Sequence, residues 1–239
     1  MTQIKAARRF NSQPKTKRKI DIAPDDLRSA LGETIFPTTR KHPRELKRVL
    51  KEGKNSRKIG SHITKGRWRG MPIFTLTLEE RATCPRSCKE WGNCYGNHMH
   101  FAQRIQPGHN LTEALEKEIQ KLNKQHRKGF AVRLHVLGDF YHENYVYFWA
   151  HLLDQFKRLH VFGFTANEPT TPIGSAVAVL NEHFKDRFHI RFSGSDTEVV
   201  SEPSEASGIV CPVQLDKTDC CGTCGLCWQT TRKISFLRH

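Results

Sequence analysis

The 239-residue chain carries 39 Lys and Arg against 24 Asp and Glu, a formal net charge of +15, and a mean hydropathy of −0.61. It is long enough to bury one large core, and no apolar run approaches the roughly 18 residues of a membrane span, so none is expected. The basic N-terminus lacks the apolar stretch of a signal peptide, and a cytoplasmic location is expected.

The charge is unevenly spread. Residues 1–60 hold 17 Lys and Arg against 6 Asp and Glu, and the remaining 179 hold 22 against 18. The segment 1–60 reads as a basic arm, flexible to about residue 40 and then forming a short helix. Lys5, Arg8, Arg9, Lys15, Lys17, Arg18 and Lys19 stand in it among few apolar residues. Such an arm on a near-neutral body suits contact with nucleic-acid phosphates, because neutralising them releases counterions without reading sequence. A solubilising tail is the alternative. The short helix is predicted over 42–52, where Leu46, Val49 and Leu50 recur at helical spacing before Gly53.

From residue 61 to 195 the pattern alternates strands and helices. Strands are predicted at 72–78, 131–137, 160–165 and 187–192, and helices at 95–104, 111–127, 142–158 and 172–184. The 111–127 helix carries Leu111, Leu115, Ile119 and Leu122 on one face, with Asn110 or Thr112 as its cap. Such repeats specify a parallel sheet with right-handed crossovers. Too few units are present for a closed eight-unit barrel, which needs about 250 residues. The expected fold is α/β, an open or partial (βα) barrel with a basic N-terminal arm and a C-terminal cysteine-rich metal-binding segment. Residues 196–239 read as a polar, acidic linker leading into that segment.

The first predicted strand runs into Thr83-Cys-Pro-Arg-Ser-Cys-Lys-Glu-Trp-Gly-Asn-Cys-Tyr-Gly96. Thiols Cys84, Cys88 and Cys94 within eleven residues read as metal ligands rather than disulfides in a reducing compartment. Three ligands leave a fourth coordination position open, as at an iron–sulfur cluster or a catalytic zinc. His98 and His100 are alternative donors. The second group is Cys211-Pro with Cys220-Cys-Gly-Thr-Cys-Gly-Leu-Cys-Trp228. In it Cys211, Cys221, Cys224 and Cys227 could hold a four-iron (4Fe-4S) cluster or a structural zinc, and spacing does not decide between them. Cys220 is then spare, or closes the first site.

Ligand sites in a parallel α/β sheet lie at the carboxyl ends of the strands. Gly138-Asp139, Thr165-Ala166-Asn167-Glu168 and Ser193-Gly194-Ser195 occupy three such ends beside the cysteine loop. Gly138 lets the backbone approach a bound group, and Asp139 either faces that group or caps the following helix. Ser193 either bonds a ribose hydroxyl or caps its turn. Arg133 and His135, two apart on one strand, share a face and could meet an anion or simply be solvated. Metal-protease, phosphate-loop and nucleophile-elbow motifs are missing from the sequence.

Thr77-Leu-Glu-Glu-Arg-Ala-Thr-Cys-Pro-Arg-Ser-Cys88, Asn93-Cys-Tyr-Gly96, Val132-Arg-Leu-His-Val-Leu-Gly-Asp-Phe140, the second cysteine group and Phe236-Leu-Arg-His239 resemble the phage-associated gene product 88 family over roughly residues 65–239. The layout is more distantly similar to radical S-adenosylmethionine enzymes. That resemblance implies a cluster on Cys84, Cys88 and Cys94, with S-adenosylmethionine held near Gly138, Asp139 and Ser193. It also implies an auxiliary cluster on the C-terminal cysteines. The spacing departs from the usual C-x3-C-x2-C, being C-x3-C-x5-C. Two functions are expected to compete: an iron–sulfur enzyme acting on nucleic acid or nucleotides, and a non-catalytic, zinc-stabilised nucleic-acid-binding protein.

Overall fold

A computed structural model describes residues 26–238 of the chain. In order, the elements are α1 (Leu27–Leu31), β1 (Arg40–Lys41), β2 (Lys51–Glu52), β3 (Ile73–Thr75), α2 (Glu80–Thr83), β4 (Arg104–Ile105), α3 (His109–Gln125), β5 (Phe130–Leu134), α4 (Glu143–Gln155), β6 (Leu159–Thr165), α5 (Pro172–His183), β7 (Phe188–Phe192), β8 (Thr197–Val200), β9 (Ile209–Val210), α6 (Cys221–Cys224), α7 (Leu226–Gln229) and β10 (Ile234–Leu237). The arm residues Lys5, Arg8, Arg9, Lys15, Lys17, Arg18 and Lys19 lie outside the described residues.

The central sheet has the order β2-β3-β5-β6-β7. Strands β3, β5, β6 and β7 run parallel, and β2 pairs antiparallel at one edge. The sheet is open: β2 and β7 are its two edges, and it closes into no barrel. Each crossover advances one strand without reversing direction. Alternation along the strands sorts side chains into two cores. On one face Phe130, Val132, Leu134 and Val161 meet Leu111, Leu115 and Ile119 of α3, Tyr145, Val146 and Trp149 of α4, and Val177 and Leu180 of α5. On the other face Ile73, Ala131 and Phe162 meet Ile59, Ile63, Trp68, Met71 and Trp228. The helices therefore cover one face, and the segment before β3 together with the C-terminal cysteine segment covers the other.

The long elements at 109–125, 143–155, 159–165, 172–183 and 188–192 match the periodicity within a few residues. Four expectations are corrected. Residues 42–52 form no continuous helix, only a 3-10 turn at Pro43–Glu45 and then the strand β2. Val49 and Leu50 are buried, but their N–H groups donate to the Glu118 carboxylate at 2.5 and 3.0 Å, which replaces helical bonding. So short a helix had little intrinsic stability to oppose this. Residues 95–104 likewise give only a 3-10 turn, Tyr95–His98, followed by β4. The cap of α3 is Gly108, not Asn110 or Thr112, whose side chains bond elsewhere. The polar stretch after residue 194 is not a plain linker, because β8, β10 and β9 pair parallel into a small sheet of their own.

Candidate metal centre

The first cysteine loop leaves the carboxyl end of β3 through the one-turn helix α2, and a buried ionic network fixes it. Glu80 and Arg104, 1 % and 0 % exposed, pair at 2.8 Å. Arg104 also donates to the carbonyls of Gly96, Met99 and Ala102, and its guanidinium lies 4.7 Å from the Phe36 ring centre. Arg81 donates to Trp91 O and Asn97 Oδ1, and Asn97 donates to Gly92 O. The carbonyls of a loop with little regular structure are thus satisfied by two buried cations. The sequence reading named none of Glu80, Arg81, Asn97 or Arg104. Arg81 stands 16 positions from Asn97 and Glu80 24 from Arg104, so no local spacing announces these side-chain pairs.

Asp139 is almost fully buried and belongs to the same rim. Its Oδ1 accepts from its neighbour Phe140 N at 2.7 Å and its Oδ2 from Ala166 N at 2.6 Å, while its own N–H donates to Thr83 Oγ1. The carboxylate therefore ties the turn after β5 to the turn after β6. It does not cap α4, where His142 accepts from Asn144 N instead. Burial raises the Asp139 pKa to about 6 against the pull of these hydrogen bonds. Gly138 has φ +85°, and a Cβ there would stand 2.6 Å from Leu78 Cβ and from Thr83 Oγ1. Ser193 is exposed in the turn after β7, its N–H bonded to Thr165 O. Arg133 and His135 do not share a face, because β5 ends at Leu134 and its alternation stops there. His135 packs on Phe140 and Tyr145 in the helix-side core, whereas Arg133 lies over Phe162 and Phe164.

Burial pushes the Cys84 thiol well above its ordinary range, and Asp139, Cys94, Cys88 and Glu80 add to the shift. Cys94 is raised to about 11 by burial, with Glu80 adding and Arg81 opposing. Cys88 is raised by burial, with Asp139 and Glu90 adding. The three thiols are neighbours, and the charges around them are mostly acidic. Of the alternative donors, His98 has a buried Nδ1 without a hydrogen-bond partner among the described residues, and His100 packs on Phe36.

The second group has the opposite surroundings. Cys211 follows β9 with its N–H on Ser235 O, and Cys221, Cys224 and Cys227 sit on the one-turn helices α6 and α7. Cys221 and Gly222 donate to the carbonyls of Lys58 and Ile59, which anchors the segment to the chain before β3. Burial raises all three of Cys221, Cys224 and Cys227, the last to about 12, and Cys211 adds to each. Lys58 and Arg133 oppose the shift at Cys221, Lys65 at Cys224, and Arg133 and Arg191 at Cys227. Four cations thus act on the three thiols that Cys211 pushes up. The Cys220 Sγ packs under Gly60 and within 3.7 Å of Thr223 Oγ1, so it belongs beside this group rather than the first.

Among the described residues no three His, Cys, Asp or Glu side chains stand in an arrangement that would hold a metal ion, so binding one would have to draw the thiols together. The donor chemistry of the second group still suits a metal. A tetrathiolate centre carries net negative charge, and the four cations would offset it. No helix of the described residues is long and apolar enough to cross a membrane. No curated protein and no solved structure matches the chain. The family model described as Gene product 88 matches residues 40–218, spanning the first cysteine loop, the whole central sheet and Cys211, and the chain belongs to the gene product 88 family.

Proposed function

We propose that this chain is a metal–thiolate protein, an iron–sulfur-dependent enzyme of radical S-adenosylmethionine type acting on nucleic acid or nucleotides. Cys211, Cys221, Cys224 and Cys227 form its closed site, and Cys84, Cys88 and Cys94 form its open one. The observation that carries the reading is the second group: the buried Cys211 raises the pKa of the half-buried Cys221, Cys224 and Cys227, and Lys58, Lys65, Arg133 and Arg191 act on the same three in the opposite sense. Gathering four protonated thiols near four cations without a ligand gains little. Binding a metal displaces the thiol protons and turns the same surroundings favourable.

The open site has positional support. Its loop leaves the carboxyl end of a parallel strand, where ligands bind in such sheets, beside Gly138 and Asp139 after the neighbouring strand, whereas Ser193 follows β7, three strands along the sheet. Strands that advance in sequence order, with helices on one face, have the layout of a barrel fragment. A ligand amino group at Asp139 would have to share oxygens already accepting from Phe140 and Ala166. Nucleic-acid contact draws support from the charge of residues 1–60 and from a surface depression lined by Lys47, Arg48, Lys51 and Lys54, of which Arg48 and Lys54 pair with Glu52 in the same lining.

One observation favours the second reading, a zinc-stabilised nucleic-acid-binding protein. Asp139, Glu80 and Glu90 around the first thiols oppose an anionic cluster there, whereas the closed four-thiol group suits zinc as well as iron. Anaerobic purification with quantitation of iron, sulfide and zinc separates the two. Iron and sulfide with charge-transfer absorption support the enzyme. Stoichiometric zinc without iron, from iron- and sulfide-replete cells, rejects it.

A further inference from the structure

We propose that Arg133 is an oxyanion-binding residue, receiving a phosphate or carboxylate of a ligand that sits between the two cysteine groups. The proposal gives the substrate class for the function proposed above. It rests on that reading only for what the bound anion would face, since the site itself is made of protein atoms.

The guanidinium is held rather than loose. Its Nη1 donates to Leu134 O and to His135 O, the latter at 3.0 Å, which bends the side chain toward the carboxyl end of β5. Its plane lies over Phe164, with Cζ 4.7 Å from the ring centre, and Phe162 is 6.0 Å away. No described residue accepts from Nε or Nη2, and the side chain is only half-buried. A planar fork with one arm fixed on backbone carbonyls and two donor nitrogens unspent is pre-organised for a bidentate oxyanion.

Its position joins the two groups. Phe162 packs 4.5 Å from Trp228, the neighbour of Cys227. Phe164 packs 5.4 Å from Phe236, over which Lys58 Nζ stands at 5.6 Å. On the other side lies Tyr95, next to Cys94. Tyr95 leaves 43 % of its surface exposed, and the Arg133 charge acts on its hydroxyl. Phe164 and Phe236 supply flat apolar surface beside the guanidinium, the combination that seats a ligand with an aromatic ring and an anionic group.

The test follows the arginine Nε–Hε resonances of the full-length, anaerobically purified protein by NMR at constant ionic strength. The titrants are inorganic phosphate, 5′-AMP and methionine, with chloride as control. Wild type is compared with Arg133→Lys and Arg133→Gln. The expected result is saturable movement of one resonance that both variants lack, with affinity, read for all three proteins by isothermal titration calorimetry, at least ten-fold weaker in Arg133→Gln and intermediate in Arg133→Lys. Saturation by phosphate and 5′-AMP but not methionine identifies a phosphate, and the reverse identifies a carboxylate. If no titrant moves a resonance beyond the chloride control, or if the variants bind as wild type does, the proposal is overturned. The wild-type titration decides even if Arg133→Gln fails to fold. Metal analysis of the same samples keeps the readings apart: metal-free protein that still binds phosphate through Arg133 rejects the metal reading and leaves this one standing.

Discussion

The indole of Trp68 stacks on that of Trp228, with centroids 5.6 Å apart and ring planes 4° from parallel. Both residues are 2 % exposed, and the Trp68 Nε1 donates to Asp186 O. The pair joins the loop before β3 to the helix that carries Cys227, across the sheet face opposite the long helices. The C-terminal cysteine segment is therefore part of the body's second core. Trp68→Ala should cost about 3–5 kcal/mol, the range for truncating a buried Trp. Urea denaturation followed by far-UV circular dichroism checks it. A loss below about 1 kcal/mol would show that the pair does not hold the segment.

Gly138→Ala should destabilise by about 2–4 kcal/mol, through positive-φ strain together with a methyl forced against Leu78 and Thr83. It should also displace Asp139, so protection of the Ala166 amide in hydrogen exchange should fall. A folded variant with wild-type protection at Ala166 would contradict the proposed coupling of the two turns.

Arg104→Met should cost about 3–5 kcal/mol, because it leaves Glu80 buried with fewer compensating donors. Removing both charges in Glu80→Leu/Arg104→Met should cost less than the sum of the single changes. Hydrogen exchange over residues 84–104 should rise in the single mutant. Additive energies would mean that the two residues act independently.

How much of this was legible in the sequence depends on where each residue's partners lie. The faces of α3 and α4 repeat every three to four residues, so Leu111, Leu115, Ile119, Tyr145 and Trp149 announce their core positions. The turns after β3, β5, β6 and β7 follow from strand order, and the two cysteine groups follow from spacing. The segment around Val49 and Leu50 misled because its backbone donors go to a distant carboxylate, Glu118, which side-chain spacing does not reveal. The strands β8 to β10 are short, and their pairing joins residues more than 20 positions apart, so alternation had too few residues to register. The Glu80–Arg104 pair and the Arg133 fork depend on tertiary placement alone.

Stability should fall in acid partly through two imidazoles, the buried His135 and the half-buried His189. Burial, with Arg133 adding, lowers the His135 pKa to about 3, and burial, with Arg67 adding, lowers His189 to about 4. The unfolded imidazoles protonate near 6.5. Below that pH the unfolded chain therefore takes up protons that the folded chain refuses until about pH 4 at His189 and about pH 3 at His135. Asp139, raised to about 6, acts in the opposite sense between pH 6 and its unfolded value of 3.8, because there the folded state binds the proton first. Comparison with His135→Gln isolates one term. Its unfolding free energy should fall less steeply between pH 6 and pH 4.5, by up to about 1.4 kcal/mol per pH unit. Equal slopes would show that His135 is charged in the folded protein.

The two cysteine groups should divide the work. Cys224 lies on a one-turn helix whose backbone is tied to residues 58–64, and the segment shares a core with Trp68 and Ile73. If the four thiols hold a metal, that metal's binding energy is part of the folding energy of the segment. Cys224→Ala should then lower solubility and thermal midpoint and release close to one site's metal. Cys88 sits in a loop held by Arg81 and Arg104, whose hydrogen bonds do not involve its thiol. Cys88→Ala should keep the fold, with a stability change within about 1 kcal/mol, while losing whatever binds at the open site. Metal stoichiometry and thermal denaturation of both variants, purified anaerobically, check the division. If Cys88→Ala unfolds while Cys224→Ala stays soluble and fully loaded, the roles are reversed, and the structural site lies at the carboxyl rim of the sheet.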